Sequence, residues 1–141
     1  MSRYDPAVSS DAFNSAPLVL LVDDFEDARE MYSEYLAFVG YRVEVAASGE
    51  EAVRLASLHT PALILMDVEM PGMNGADALR MLRADPTLAE VTVLAFTAHA
   101  LEHERVEHLV AGFDGVIPKP CLPNDLVTLM EPFLARRSQH G

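Results

Sequence analysis

Five side chains with chemical potential each follow a short apolar run in this sequence. Asp23 and Asp24 follow residues 18–22, Asp67 follows residues 62–66, Thr97 closes residues 91–96, and Lys119 comes just after Val116 and Ile117. Three carboxylates gathered at one place repel one another unless a cation sits among them. Oxygen-only ligands with room for water suit Mg2+ better than a transition metal. A threonine and a lysine beside such a cation suit a tetrahedral phosphoryl anion. A carboxylate can attack phosphorus and become an acyl phosphate. The metal and the ammonium then neutralise charge on the transferred group. Asp67 is the best nucleophile candidate, because it follows the central apolar run and precedes a glycine-containing loop, residues 68–75.

Each residue also has a plain reading on its own. Asp24 is well placed to cap a helix. Asp67 alone is a loop acid, Thr97 a strand-end turn residue, and Lys119 a solvated charge. Their joint placement, each at the end of an apolar run, is what argues for chemistry. Lys119 is also the only lysine among ten basic residues, and a site that needs a compact ammonium would retain one.

The elements that must position these residues alternate strictly. Continuous apolar runs of strand length at 18–22, 62–66 and 91–96 predict buried parallel strands. Residues 41–46 alternate polar and apolar, as a half-exposed edge strand does, and 116–117 is a very short strand. Helical spacing covers 25–39 with Ala28, Met31, Tyr35, Leu36 and Val39 as its apolar set, and Gly40 stops it. A second helix starts at Ser48, with Glu51 in a capping-box position, and runs to about His59. Others cover about 76–83, 102–110 and 124–136. Pro132 lies inside the last and is expected to break or kink it near Glu131, freeing Phe133 and Leu134 as an arm, and a homodimer through this C-terminal helix or arm is expected. Five strand–helix units in alternation predict a single α/β domain, a parallel sheet covered on both faces. In such sheets, sites form beyond the carboxyl ends of the strands, where these residues fall.

Composition narrows the function classes. The chain has 141 residues, with 22 acidic residues against 10 basic ones and a net charge of −12. So acidic a surface repels nucleic-acid phosphates and anionic membranes. Mean hydropathy of +0.14 and 50% hydrophobic residues exclude a largely disordered chain. One cysteine, Cys121, excludes a disulfide framework and a cysteine-rich zinc site. There is no secretory h-region and no apolar run of membrane-spanning length. A soluble, cytoplasmic protein is the expectation, with residues 1–16 and 137–141 as tails.

The motifs resemble the receiver domain of two-component response regulators. The resemblance covers about residues 17–136. It rests on Leu20-Leu21-Val22-Asp23-Asp24, on Leu65-Met66-Asp67-Val68-Glu69-Met70-Pro71-Gly72-Met73-Asn74-Gly75, on Phe96-Thr97-Ala98 and on Lys119-Pro120. It implies a flavodoxin-like (βα)5 fold with strand order 2-1-3-4-5, an order for which a receiver protein is itself a known example. It implies that Asp67 takes a phosphoryl group from a sensor histidine kinase or a histidine phosphotransfer protein. Asp24 and Asp67 would bind Mg2+ directly, Asp23 through water, and the backbone carbonyl of Glu69 would complete the protein's share. Thr97 and Lys119 would contact the phosphoryl oxygens, and Lys119-Pro120 would be a cis bond. Phosphorylation would draw Thr97 inward and repack the face made by the fourth helix, fifth strand and fifth helix. With five residues after Arg136, a stand-alone receiver is expected, one that signals to a downstream protein target and catalyses only its own phosphorylation and slow dephosphorylation, not a classical enzyme.

Three positions depart from the pattern or tune it. The family's aromatic switch position, partner of Thr97, holds Val116. The residue after Lys-Pro is Cys121, read as a small buried thiol or, alternatively, a redox sensor. Glu69 and His99 lie two residues after Asp67 and Thr97, where the family tunes phosphoryl lifetime. Two rival readings stay open. One is a Mg2+-dependent phosphohydrolase with an aspartyl nucleophile, in which Glu69 would stand where a general acid is needed. The other is an interaction module that works without phosphorylation.

Overall fold

A run of leucine, valine and isoleucine with no polar break can satisfy its backbone in a sheet and its side chains only between two covering layers. Three such runs form the middle of this molecule. The strands are β1 (Leu18–Val22), β2 (Arg42–Ala46), β3 (Leu63–Met66), β4 (Thr92–Thr97) and β5 (Gly115–Pro118). The helices between them are α1 (Glu26–Phe38), α2 (Gly49–His59), α3 (Gly75–Ala84), α4 (Glu102–Ala111) and α5 (Pro123–His140). The structure is a computed structural model and describes residues 16–140. Of the expected tails, residues 1–15 and Gly141 lie outside the described residues.

The five strands make one parallel sheet in the order β2-β1-β3-β4-β5, as expected. The order reverses at β1, whose neighbours are β2 and β3, so the crevice between the ends of β1 and β3 is the switch point. Strand residues alternate between two cores. Leu20, Val22, Ile64 and Met66 pack with Ala52 and Ala56 of α2 and Leu79 and Leu82 of α3. Leu21, Leu65, Phe96 and Ile117 pack with Tyr32 and Leu36 of α1 and Leu126 and Met130 of α5. Helix α2 starts as its sequence predicts. Ser48 Oγ accepts from the Glu51 N–H at 3.1 Å, and Glu51 answers by accepting from the Ala47 N–H at 2.7 Å.

Two expectations about helices need correction. The buried stripe of α1 is Tyr32 and Leu36, while Met31 and Val39 are exposed. The helix therefore turns its i, i+4 row to the sheet, and Tyr32 serves as a core residue with a polar tip. Helix α5 does not break at Pro132 but runs on to His140. An internal proline costs about 3 kcal/mol. Against that, the partly buried Phe133 and Leu134 pack onto the α1–α5 core, where each gains a share of the roughly 1.5–3 kcal/mol that full burial of such a side chain is worth. Gly115 makes the room: a Cβ there would come within 2.5 Å of the Phe133 ring. Phe133 and Leu134 thus pack inward within the helix, and the arm expected to dock a second copy does not form.

Candidate functional site

Backbone hydrogen bonds carry the sheet pairing past the strand ends and set the site residues in a row. Asp23 N–H donates to the Ala46 carbonyl at 3.1 Å, Asp67 N–H to Val22 at 3.0 Å, and Lys119 N–H to Thr97 at 2.9 Å. The side chains that the strand-end reading brought together do meet. One carboxylate oxygen from each of Asp23, Asp24 and Asp67 lies within 4.8 Å of the others. Asp23 and Asp67 are buried and Asp24 is exposed, so the cluster opens to solvent on one side. The Lys119 ammonium pairs closely with Asp23 and sits 3.5 Å from Asp67 Oδ2. Thr97 is fully buried at the end of β4.

Asp24 is not a helix cap: α1 has no side-chain cap, and the N–H of Phe25 goes to Asp23 Oδ1 at 2.9 Å. Thr97 does make a turn, accepting from the His99 N–H at 3.0 Å through its hydroxyl oxygen. Lys119 is not a solvated charge, since its side chain is only 18% exposed.

Burial pushes the Asp67 carboxyl above its ordinary range. Lys119 and the Glu69 N–H, which donates to Asp67 Oδ1 at 3.1 Å, pull it back, while Asp23 and Asp24 push it further. Three carboxylates with one ammonium leave an excess negative charge in a partly buried place. The donor set is all oxygen. Both features fit a hard divalent cation, with open sides for water.

Glu69 and His99 are found together. His99 Nε2 lies 3.3 Å from Glu69 Oε1, and its Nδ1 lies 3.2 Å from Glu104 Oε2. They form a clasp between the loop after Asp67 and the first turn of α4. Sequence reasoning named two of its members and missed Glu104. It also missed Arg29, whose guanidinium donates to the Asp23 carbonyl at 2.7 Å. Spacing within α1 and α4 carries no signal for either, because their partners lie in distant loops. The switch position Val116 is buried in the α2–α3 core. Cys121 is partly buried, and its thiol is pushed up, first by burial. That disfavours the thiolate a redox sensor needs. The Lys119-Pro120 bond is cis.

A family model for the response regulator receiver domain matches residues 19–131. The chain belongs to the receiver domain family of response regulators. Response regulator MprA of Mycobacterium sp. (strain KMS) is 38% identical over 120 residues, covering 85% of this chain. This receiver spans 51% of that relative's length, about half. Among solved structures, the chemotaxis protein CheY4 of Vibrio cholerae superposes with a TM-score of 0.80 at 30% identity, over 84% of this chain and 99% of that one. The receiver domain of the sensor histidine kinase PA1611 of Pseudomonas aeruginosa has a TM-score of 0.78 at 31% identity, over 86% of this chain and 99% of that one. That neighbour is described with a magnesium ion coordinated in its active-site cleft. The receiver family works in two-component signalling and is not, in general, a family of enzymes. Among the described residues, no helix is long and apolar enough to cross a membrane.

Proposed function

We propose that this receiver is a phosphorylation switch in which Asp67 is the phosphoacceptor. The observation that carries the reading is the meeting of three carboxylates with the chain's only lysine at the switch point of the sheet. Asp23, Asp24 and Asp67, with the Glu69 carbonyl, would hold Mg2+. The ion, when bound, supplies charge neutralisation at the oxygens of the transferred phosphoryl group.

The protein residues do the rest. An Asp67 carboxylate oxygen attacks phosphorus of a phosphohistidine on a sensor kinase or phosphotransfer protein. The P–N bond breaks as the O–P bond forms, and the imidazole leaves with the electron pair. Lys119 passes from its pairing with Asp23 toward the phosphoryl oxygens, and the Thr97 hydroxyl gives up its turn contact to meet them. Glu69 and His99 border the acyl phosphate and set how readily water reaches it. The signal then passes to a protein target in the cytoplasm through the face that includes α4.

Intact mass after incubation with acetyl phosphate and Mg2+ tests the reading. One added phosphoryl group is expected on wild type, and none on Asp67→Asn or without Mg2+. Uptake that survives Asp67→Asn, or none on folded wild type, overturns it. In the same assay, Glu69→Ala and His99→Ala should change the rate at which the added group is lost. Rates equal to wild type in both would remove them from lifetime control.

A further inference from the structure

Lys119 is held from two sides, and only one of them is the acidic cluster. Its ammonium lies 5.1 Å from the centroid of the Phe96 ring. Phe96 immediately precedes Thr97 on β4 and is fully buried on the opposite sheet face. The Tyr32 ring from α1 meets Phe96 edge to face, with centroids 5.0 Å apart and planes at 75°. The Tyr32 hydroxyl donates to the Cys121 carbonyl at 2.8 Å, two residues beyond Lys119. The Lys119 N–H in turn donates to the Thr97 carbonyl at 2.9 Å. A closed circuit results: Lys119 over Phe96, Phe96 against Tyr32, Tyr32 onto Cys121, and back along the chain to Lys119.

Each contact suits the next. A cation over an aromatic face is attracted by the ring quadrupole. An edge-to-face ring pair is favoured over a stacked one. Burial holds the Tyr32 phenol above its ordinary range, so it stays a neutral donor. On the other face the sequence puts Val116, buried in the α2–α3 core, in place of an aromatic switch residue.

We infer that Phe96 and Tyr32 are positioning residues: their ring pair, latched to the Cys121 carbonyl, sets the place of the Lys119 ammonium and couples it to α1 and the start of α5. The inference rests on the phosphoacceptor reading for its kinetic consequence and on geometry alone for its structural one. When the ammonium leaves Asp23 for a phosphoryl oxygen, it moves relative to the Phe96 ring. The ring pair and the latch then carry that displacement to α1.

Because Lys119 is the only lysine, lysine labelled with carbon-13 at Cε gives one side-chain NMR signal from this chain. Its protons should be displaced upfield by the Phe96 ring. Phe96→Leu should return the signal to the value of an unstructured lysine, and Phe96→Tyr should keep it displaced. Tyr32→Phe, which removes one oxygen and no ring, should move it part of the way. Phosphoryl uptake from acetyl phosphate should fall roughly three- to tenfold in Tyr32→Phe, the worth of one hydrogen bond. The half-maximal Mg2+ concentration should not change.

A merely structural hydrogen bond would lower the melting temperature and leave the Lys119 signal in place, which overturns the inference. So does a wild-type signal and rate in folded Tyr32→Phe, or a rate loss that follows from a raised Mg2+ requirement. Should wild type take up no phosphoryl group, the phosphoacceptor reading fails while the NMR arm still decides the positioning. Should Phe96→Leu not fold, Tyr32→Phe decides alone.

Discussion

Helices α3 and α4 are each ten residues long, and each begins just after a loop that carries site residues, yet only one belongs to the core. Helix α3 buries Gly75, Ala78, Leu79 and Leu82. Asn74 caps its start, accepting from the Asp77 N–H at 2.9 Å. Near its end, Arg83 reaches the Val91 carbonyl at 2.6 Å and Asp114 at 3.0 Å. Helix α4 buries no residue, and Val106, Leu109 and Val110 are 54%, 48% and 81% exposed. Polar ties hold it instead. Arg105 donates to the Val116 carbonyl at 3.2 Å, His108 bonds the His99 carbonyl at 2.8 Å, and Glu104 takes the Leu101 N–H at 2.9 Å. Hydrogen bonds of about 1 kcal/mol net can be exchanged for others, whereas a buried leucine has no second place to go. The comparison makes α3 a fixed wall behind Asp67. It makes α4 an element whose position is set by the segment just after Thr97 and by β5, which is where a low-stability moving element is expected.

The sharpest way to break that comparison is to remove a leucine from each helix. Leu79→Ala should lower the free energy of unfolding by about 2–5 kcal/mol. Leu109→Ala should cost under about 0.5 kcal/mol, as exposed substitutions do. Urea denaturation of both variants decides it, and equal costs would mean that α4 is as much a part of the core as α3. A smaller effect sits at the first residue of α3. A Cβ at Gly75 would lie 2.6 Å from the Asp67 carbonyl oxygen and 2.8 Å from the Val68 Cα. Alanine gains up to about 1 kcal/mol of helix propensity over glycine, but overpacking against fixed backbone costs about 1–3 kcal/mol. The clash should win. Gly75→Ala is expected to be destabilised and slow in taking up a phosphoryl group, because the Asp67 backbone must shift. A variant more stable than wild type would show that the wall gives.

The same contrast explains what was legible in the sequence. Asp23, Asp67, Thr97 and Lys119 could be placed because buried strands announce themselves as apolar runs and a parallel sheet sends all their ends to one edge. Helix α3 was placed at about residues 76–83, but its Asn74 cap and the row that buries Leu79 and Leu82 were read only from the structure. The Glu69–His99–Glu104 clasp was legible only in part, since its members touch across two loops and no local period links them. Tyr32 was passed over in α1 because Met31 and Tyr35 also fit a helical stripe, and only the docking of the helix chooses among them. Pro132 misled for an energetic reason: a local rule about backbone hydrogen bonds was outweighed by Phe133 packing over Gly115, a contact invisible along the chain.

The subtlest difference between the two helices lies in their response to acid. The Glu104 carboxyl is held below the ordinary glutamate range, chiefly by the Leu101 N–H and then by His99. A depressed carboxyl contributes stability above its unfolded value, 4.5 for glutamate, and loses it as pH falls through the folded value. The first turn of α4 has no buried side chain to replace that tie. Asp85, at the end of α3, is likewise held down by the Thr87 N–H and hydroxyl, but Leu79 and Leu82 keep α3 seated when it protonates. Acidification below the glutamate range should therefore lower the amide protection factor of Leu101 while that of Leu82 holds. Glu104→Ala should show the low Leu101 protection already at neutral pH and lose its acid dependence. Equal losses at Leu101 and Leu82 would mean that acid loosens the whole domain at once, and the distinction between wall and lever would fail at its weakest contact.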